Sequence, residues 1–190
     1  MTEETGRPLR ADALRNRTRV LEAAEAVFAA EGLSVPVDVI AEKAGVGVGT
    51  LYRHFPTKEK LFEAILVARI TEITEVARAR LNVGDAGAAF FGFLEYLVGE
   101  AVLKRDLIMA LADAGVEFEV AVAPVKEEMG DAVAALLRAA QDAGAVRADV
   151  EPEVVMSLIG ATCMAAERPD MAVCSQAMVR IVCDGLKVSR

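Results

Sequence analysis

Side chains that can donate hydrogen bonds or carry positive charge lie close together between residues 50 and 60. They include Thr50, Tyr52, Arg53, His54, Lys58 and Lys60. Hydroxyl, guanidinium and ammonium groups are suited to phosphate oxygens, and the methyl group of a threonine can contact a thymine. The segment therefore has the chemistry to hold a phosphate backbone and to touch base edges.

His54 is the only histidine in the chain, and a lone histidine can be a metal ligand, a general base or a structural group. Catalysis would need a nucleophile and a base placed together, but the acidic residues are scattered. Cys163, Cys174 and Cys183 lack the paired spacing of metal ligands. We therefore expect no catalytic centre, no metal and no cofactor, and we expect all three cysteines to be reduced core residues. For His54 we favour a hydrogen bond to a phosphate.

A short helix closed by a glycine precedes the polar segment. Ile40, Ala41 and Ala44 would share one apolar face of a helix that runs from about residue 38 to residue 44. Gly45 follows, and glycine adopts the left-handed conformation that ends a helix without a steric penalty. The sequence therefore predicts a helix and a turn immediately before the polar side chains.

A second short helix follows this turn and carries the polar side chains. It starts near Val48, and Leu51 and Phe55 lie four residues apart, so they share its buried face while Thr50 points elsewhere. Two helices joined in this way form a helix-turn-helix. The second helix of such a motif enters the major groove of DNA, with its first residues against the base edges.

The run from Ile40 to Leu61, IAEKAGVGVGTLYRHFPTKEKL, strongly resembles the signature of the TetR family of one-component transcriptional regulators. The resemblance covers only the amino-terminal third of the chain. It implies that the positions that usually touch DNA are Gly47, Gly49, Thr50, Tyr52, His54 and Lys58. Gly47 is a departure, because the family often has serine there. With glycines leading the helix, few side chains can pair with bases, so we expect DNA shape and close backbone approach to contribute to recognition.

The glycines at positions 45, 47 and 49 also partly match a dinucleotide-binding fingerprint. That fingerprint needs a preceding buried strand and a further glycine three residues after its second one. Here residues 39–44 have a helical pattern and position 50 is threonine. We therefore do not expect a nucleotide site.

The formal net charge of −8 is unusual for a DNA-binding protein, but the charge is unevenly distributed. Residues 1–60 hold nine Lys and Arg against nine Asp and Glu, whereas residues 61–190 hold twelve against twenty. The early basic residues are bunched as Arg7, Arg10, Arg15, Arg17 and Arg19. Beside a helix-turn-helix we expect this cluster, Arg17 included, to contact phosphates, the alternative being a solvated helix end.

Helical periodicity dominates the chain, and its 54% apolar residues with no Trp favour closely packed helices. The predicted fold is all-α, with an N-terminal three-helix DNA-binding module joined by a long helix to a C-terminal helical ligand-binding and dimerisation domain. The predicted DNA-binding domain covers residues 1–56, of which about the first ten form a mobile arm. The predicted ligand-binding and dimerisation domain covers residues 57–190. Besides the motif, predicted helices cover 12–31 with Asp12 as cap, 57–80, 88–104, 106–114, 119–144, 152–168 and 171–187. Residues 116–120 alternate like a strand but lack a partner strand, which predicts a loop.

Apolar and adaptable side chains in the middle helices are candidates for a ligand site, because sites in all-helical proteins commonly form between helices. The candidates are Phe62, Phe90, Phe93, Leu94, Tyr96, Leu97, Met109, Asp113, Phe118 and Met129. Tyr96, Asp113 and Glu117 would be polar anchors. The alternative for any one apolar residue is an ordinary core position.

The last two predicted helices carry apolar residues on more than one face, so each needs two partners. One face can serve the core and the other a two-fold interface, with Gly160 and Ala161 allowing close approach. The predicted dimerisation residues are Val155, Leu158, Ile159, Thr162, Met178, Ile181 and Val182.

The resemblance to the TetR family implies a homodimeric repressor that a small, largely apolar molecule releases from a double-stranded DNA operator. The alternative is a DNA-binding factor or activator without a small-molecule inducer. Residues 1–10 have no apolar signal core, and the longest apolar stretch, 154–166, falls short of the ~18 residues of a membrane span. We therefore expect a soluble, cytoplasmic protein without a membrane partner.

Overall fold

The computed structural model describes residues 6–103, 119–166 and 172–188, and these residues form eight α-helices without a strand. The helices are α1 (Gly6–Glu31), α2 (Val37–Ala44), α3 (Val48–His54), α4 (Lys58–Arg80), α5 (Ala86–Leu103), α6 (Glu119–Asp142), α7 (Pro152–Ala166) and α8 (Ala172–Leu186). The predicted all-α fold is confirmed. The helix predicted at 106–114 and most of the loop predicted at 116–120 lie outside the described residues.

The described residues form two compact units. The amino-terminal unit contains residues 6–66, and the helical body contains residues 67–103, 119–166 and 172–188. Helix α4 begins in the first unit and continues in the second. The domain boundary predicted after residue 56 stays a prediction.

Helix α1 begins at Gly6, six residues before the predicted cap at Asp12, so the predicted start is wrong. Pro8 is accepted because it lies in the first turn, where backbone N–H groups have no acceptor within the helix. Asp12 does not cap the helix but pairs with Arg15 one turn later. Of the predicted mobile arm, residues 6–10 belong to this helix and residues 1–5 lie outside the described part of the chain.

The core of the amino-terminal unit lies where α1 packs on α2 and α3. Its fully buried side chains include Val20, Val27, Phe28, Ile40, Leu51 and Leu61. Each such side chain contributes about 1.5–3 kcal/mol when it leaves water. The start of α4 joins the same core, because the ring of Phe62 meets the ring of Phe28 edge to face with centroids 4.9 Å apart.

The core of the helical body forms where α5 packs against α6, α7 and α8. Its largest buried side chains are Phe90, Phe93, Leu94, Leu136 and Leu137. Gly87 lies near the start of α5 and is buried where this helix passes Ala145, in the segment after α6. A Cβ atom at Gly87 would lie 2.7 Å from the Cβ atom of Ala145, so no larger residue fits without movement.

An ion pair and a backbone hydrogen bond link elements of the helical body to one another. Arg69 of α4 forms a half-buried ion pair with Glu100 of α5. At the other end of the body, the amide of Arg147 donates to the carbonyl oxygen of Leu186 at 3.0 Å, which ties the end of α8 to the segment after α6. None of the described helices is both long and apolar enough to cross a bilayer.

Candidate nucleic-acid interface

Helix α2 is short, and its two ends are built differently. Pro36 precedes it in an extended conformation and provides no side-chain hydrogen bond to the helix start. Its apolar face consists of the buried Ile40, Ala41 and Ala44, as the sequence predicts. The helix ends at Gly45, which adopts the left-handed conformation with φ 64° and ψ 38°.

Gly45 closes α2 with a pair of backbone hydrogen bonds. Its amide donates to the carbonyl oxygen of Glu42 at 3.0 Å, and the amide of Val46 donates to that of Ala41 at 3.0 Å. These two bonds form a Schellman motif, in which the left-handed residue reverses the chain while satisfying carbonyls that the helix leaves free. The predicted glycine turn is therefore confirmed, and it fixes the angle at which α3 leaves α2.

Helix α3 is anchored by two side chains that share one face. Leu51 and Phe55 are both buried, as their four-residue spacing predicts. At the helix start, the carbonyl oxygen of Gly47 accepts from the amides of Thr50 at 2.8 Å and Leu51 at 3.1 Å. At its end, the amide of Phe55 donates to the carbonyl oxygen of Leu51 at 2.8 Å. The opposite face of α3 is consequently held outward.

The outward face of α3 combines bare backbone with polar side chains. Gly47 and Gly49 are exposed, and a Cβ atom at Gly49 would meet nothing within 4 Å. Tyr52 is 46% exposed, and Thr50 and His54 are half-buried at the edge of this face. Five of the predicted DNA-binding residues therefore lie on one short helix or at its cap. Their contact with DNA stays a prediction.

The two predicted cationic contacts, Arg17 and Lys58, both lie against aromatic rings of the amino-terminal unit. The guanidinium carbon of Arg17 lies 5.5 Å from the ring centroid of Phe55, and the Nζ atom of Lys58 lies 5.7 Å from that of Phe28. The Nζ atom of Lys58 also donates a hydrogen bond to the carbonyl oxygen of Val35 at 2.7 Å. Burial lowers the pKa of Lys58, and the carboxylate of Glu59 partly opposes this shift.

Arg19 has a place at the motif that sequence reasoning did not identify. A Cβ atom built on Gly45 would lie 2.6 Å from its Nη2 atom, so the guanidinium covers the turn between α2 and α3. The sequence showed only a bunch of arginines in this region. Their individual positions depend on how α1 packs against α2, which the local pattern does not encode.

The candidate ligand residues that the structure describes are mostly core side chains. Phe90, Phe93, Leu94 and Leu97 are buried in the helical body. Phe62 is buried against Phe28 in the amino-terminal unit. Tyr96 and Met129 are half-buried, and the guanidinium of Arg80 lies 6.0 Å from the Tyr96 ring centroid. Met109, Asp113, Glu117 and Phe118 lie outside the described residues.

The candidate dimerisation residues separate into two groups. Val155, Ile159 and Thr162 are buried within the chain's own body. A side chain used in this way cannot pack against a second chain, so we no longer expect these three at an interface. Leu158 and Ile181 are exposed, Ile181 by 71%, and Met178 and Val182 are half-buried. For these four residues the predicted role stays a prediction.

Exposed apolar side chains continue along both of the last two helices. We call this the α7–α8 surface, and it comprises Val154, Leu158, Ala161 and Met164 of α7 with Cys174, Ala177 and Ile181 of α8. The members recur at helical spacing on each helix, and the two helices pack on one another. Cys174 belongs to this surface, so its predicted place in the core is wrong. Cys183 is buried as predicted, and burial raises its pKa to about 11.

Two protein-family models match the chain. Residues 20–65 match the model described as bacterial regulatory proteins of the tetR family. Residues 85–188 match the model described as the C-terminal domain of SbtR-like transcriptional regulators. The second match covers more than half of the chain.

Solved structures and curated proteins show the same likeness. A TetR transcription regulatory protein from Mycobacterium vanbaalenii is 44% identical with a TM-score of 0.78, over 95% of this chain and 100% of that one. The TetR transcriptional regulator SCO0520 from Streptomyces coelicolor is 28% identical with a TM-score of 0.73, over 92% and 99%. The HTH-type transcriptional regulator UidR from Escherichia coli is 28% identical over 159 residues, 80% of this chain and 79% of that protein.

Proposed function

The chain belongs to the TetR family of transcriptional regulators, and we propose that it is a homodimeric repressor that a small, largely apolar molecule releases from its operator. Membership of the family makes it a DNA-binding transcriptional regulator, and its relatives are regulators rather than enzymes. The observation that carries the proposal is the outward face of α3, held by Leu51 and Phe55 and led by exposed glycines.

Helix α3 would enter the major groove with its first turn against the base edges. Gly47 and Gly49 let the backbone approach the duplex, and Thr50 can offer either its hydroxyl to a phosphate or its methyl to a thymine. Tyr52, exposed at the centre of the face, can donate a hydrogen bond to a phosphate. With so few paired contacts to bases available, sequence-dependent DNA shape would supply part of the specificity.

A second copy of the chain would cover the α7–α8 surface. An exposed apolar surface on two packed helices has a lower free energy when it is buried, and an identical surface related by a two-fold axis is a suitable partner. Ala161, together with Gly160, would allow the helices of the two copies to approach closely. The dimer would place two α3 helices about one helical turn of DNA, ~34 Å, apart.

The helical body would bind the effector between its helices, with half-buried Tyr96 and Met129 as the described candidates that could change position without emptying the core. The effector would act by preferring a form of the protein in which α4 holds the α3 helices at another spacing. The free energy by which the effector weakens operator binding cannot exceed the difference between its binding free energies for the two forms. A molecule that binds both forms equally would therefore have no effect. Because its partner is operator DNA, the protein would act in the cytoplasm.

Operator binding tests the first part of the proposal. The purified protein is titrated into fluorescent DNA from the promoter region of its own gene and into a shuffled duplex, at several salt concentrations. We expect tighter binding to the promoter fragment, two protomers per site, and a linear fall of log affinity with log salt. Equal binding to both duplexes at all salt concentrations would contradict the proposal.

Effector response tests the second part. Small apolar compounds are ranked by how far they raise the thermal midpoint of the free protein, since a ligand of the native state stabilises it by mass action. The best of them are then added to the protein–operator complex. We expect release of DNA by at least one compound that also raises the midpoint. An operator affinity that no stabilising compound alters would favour the alternative, a DNA-binding factor or activator without an inducer.

A further inference from the structure

Lys58 connects the two ends of the helix-turn-helix. Its Nζ atom donates to the carbonyl oxygen of Val35 at 2.7 Å, across 23 residues of sequence. Between these two residues lie α2, the glycine turn and the whole of α3. The hydrogen bond therefore closes the motif into a ring whose two ends meet at the start of α4.

The surroundings of this bond favour an internal role for the ammonium group. The Nζ atom lies 5.7 Å from the centroid of the buried Phe28 ring, and Phe28 in turn contacts Phe62 of α4. The acceptor, the carbonyl of Val35, stands directly before Pro36, which begins α2 without a side-chain cap. The ring and the carbonyl both lie close to the ammonium, and both attract its positive charge.

We propose that Lys58 is a positioning residue that clasps the ends of the helix-turn-helix, and that it does not act as a phosphate ligand. The clasp restrains the start of α2 against the start of α4, so α3 is presented to DNA in one orientation before binding. A recognition element ordered in advance loses less conformational entropy on binding, which raises its affinity.

Lys60 provides a matched comparison within the same helical turn. Its ammonium group bonds to Glu63 of its own helix at 2.6 Å, and its side chain is 60% exposed. Lys58→Met and Lys60→Met each remove one positive charge close to the motif and keep a long aliphatic side chain. Only the first would open the clasp.

The test measures operator affinity against salt for both variants, and hydrogen exchange of the free proteins. For Lys58→Met we expect about tenfold weaker binding to the operator, because a hydrogen bond to a charged group contributes a free energy that corresponds to about this factor or more. The slope of log affinity against log salt would change by less than ~0.3, because no phosphate contact is lost. Exchange would accelerate at the start of α2, including the Val39 amide that donates to the carbonyl oxygen of Pro36, and would stay unchanged in the middle of α1. For Lys60→Met we expect no change in exchange at α2.

A slope that falls by about 0.9 for each subunit, with unchanged exchange in the free protein, would identify Lys58 as a phosphate ligand and overturn the proposal. Unchanged affinity and unchanged exchange would also overturn it. The exchange measurement needs no operator, so the clasp is judged separately from the proposed function of the protein.

Lys58→Arg keeps the test decisive if Lys58→Met does not fold. Arginine binds phosphates at least as well as lysine, so a phosphate ligand would retain full affinity. The planar guanidinium differs from an ammonium in length and in the directions of its donors, so it would not reproduce the bond to the carbonyl oxygen of Val35 and a clasp would loosen. We then expect binding a few-fold weaker at an unchanged salt slope, with faster exchange at α2. Full affinity with unchanged exchange would overturn the proposal.

Discussion

Two pairs of helices in this protein each leave one face outside the core, but the two faces expose different chemical groups. The pair α2 and α3 exposes glycine backbone, a tyrosine, charged side chains of both signs and a single large apolar side chain, Val48, whereas α7 and α8 expose valine, leucine, methionine and isoleucine side chains. A hydrated polyanion such as DNA matches the first surface, because backbone and hydroxyl groups can bond phosphates. Burying the second surface lowers the free energy only when it packs against another apolar surface. Under the proposed function, DNA recognition and self-association would therefore use separate helix pairs.

Ile181→Glu tests the apolar side of this comparison and has the largest expected effect. Each dimer would bury two like charges, which costs several kcal/mol, so we expect the dimer dissociation constant to rise more than about 100-fold. The free energy of unfolding of the isolated chain would change little, because Ile181 is 71% exposed. Sedimentation velocity over a concentration series measures the dissociation constant.

Val120→Glu is the control for that substitution. Val120 is an exposed apolar residue of α6 outside the α7–α8 surface, so its replacement adds the same charge elsewhere. We expect the control to remain dimeric. If Ile181→Glu remains dimeric too, the α7–α8 surface is not the interface.

Gly45→Val tests the polar side, where the turn sets the direction of α3. A β-branched residue is strained at φ 64°, and its side chain would also displace the guanidinium of Arg19. We expect a loss of about 1–3 kcal/mol of stability, measured by chemical unfolding, together with weakened operator binding at an unchanged dimer dissociation constant.

Gly144→Val separates strain from location. Gly144 has φ 70° and follows the end of α6 in the helical body, so the backbone strain is similar but lies far along the chain from the motif. Operator affinity should be retained at temperatures where the variant is folded. Equal losses of operator affinity in both variants would mean that the turn at Gly45 has no special part in aiming α3.

Gly87→Ala and Gly99→Ala, both in α5, contrast a crowded glycine with an open one. The added methyl at Gly87 would collide with Ala145 at 2.7 Å, whereas a Cβ atom at Gly99 meets nothing within 4 Å. We expect Gly87→Ala to lower the free energy of unfolding by about 1–3 kcal/mol through overpacking. Gly99→Ala should raise it by about 0.5–1 kcal/mol through helix propensity. Thermal unfolding of both variants shows whether the signs are opposite.

Gly49→Ala has the smallest expected effect and sharpens the account of α3 itself. The exposed position is open, so alanine should stabilise the helix by up to about 1 kcal/mol. If the backbone of α3 approaches DNA closely, the same methyl should weaken operator binding several-fold. Stabilisation accompanied by unchanged or tighter operator binding would show that close backbone approach plays no part.

The helix-turn-helix could be predicted from the sequence because its determinants are local. Gly45 supplies a backbone conformation that other residues adopt only with strain, and the spacing of Leu51 and Phe55 defines the buried face of α3. The start of α1 could not be predicted in the same way, because an aspartate before a helical pattern is typical of a cap. The carboxylate of Asp12 instead pairs with Arg15, inside a helix that begins at Gly6.

Contacts between distant residues could not be predicted. Lys58 has the pattern of an exposed cation at a helix start, yet its ammonium bonds a carbonyl 23 residues earlier. Arg17 likewise lies over Phe55, 38 positions later in the chain. Such pairings depend on how α1 and α4 meet the motif, and no local spacing encodes them.

The faces of α7 could not be assigned from the sequence either. Val154 and Val155 are identical neighbours, but the first is exposed and the second is buried. A helix that is apolar on most sides has no polar face to indicate its rotation, so the pattern predicts that two partners exist without showing which residues meet which partner.

The position of Cys174 would allow the proposed self-association to be measured without any substitution. Cys183 is buried with a raised pKa of about 11, and the Sγ atom of half-buried Cys163 lies 3.9 Å from the carbonyl oxygen of Leu97. An alkylating reagent would therefore modify the exposed Cys174 first. Because this thiol lies about two helical turns from Ile181 on the same side of α8, pairing would shield it, and its alkylation rate would report how often the subunits separate.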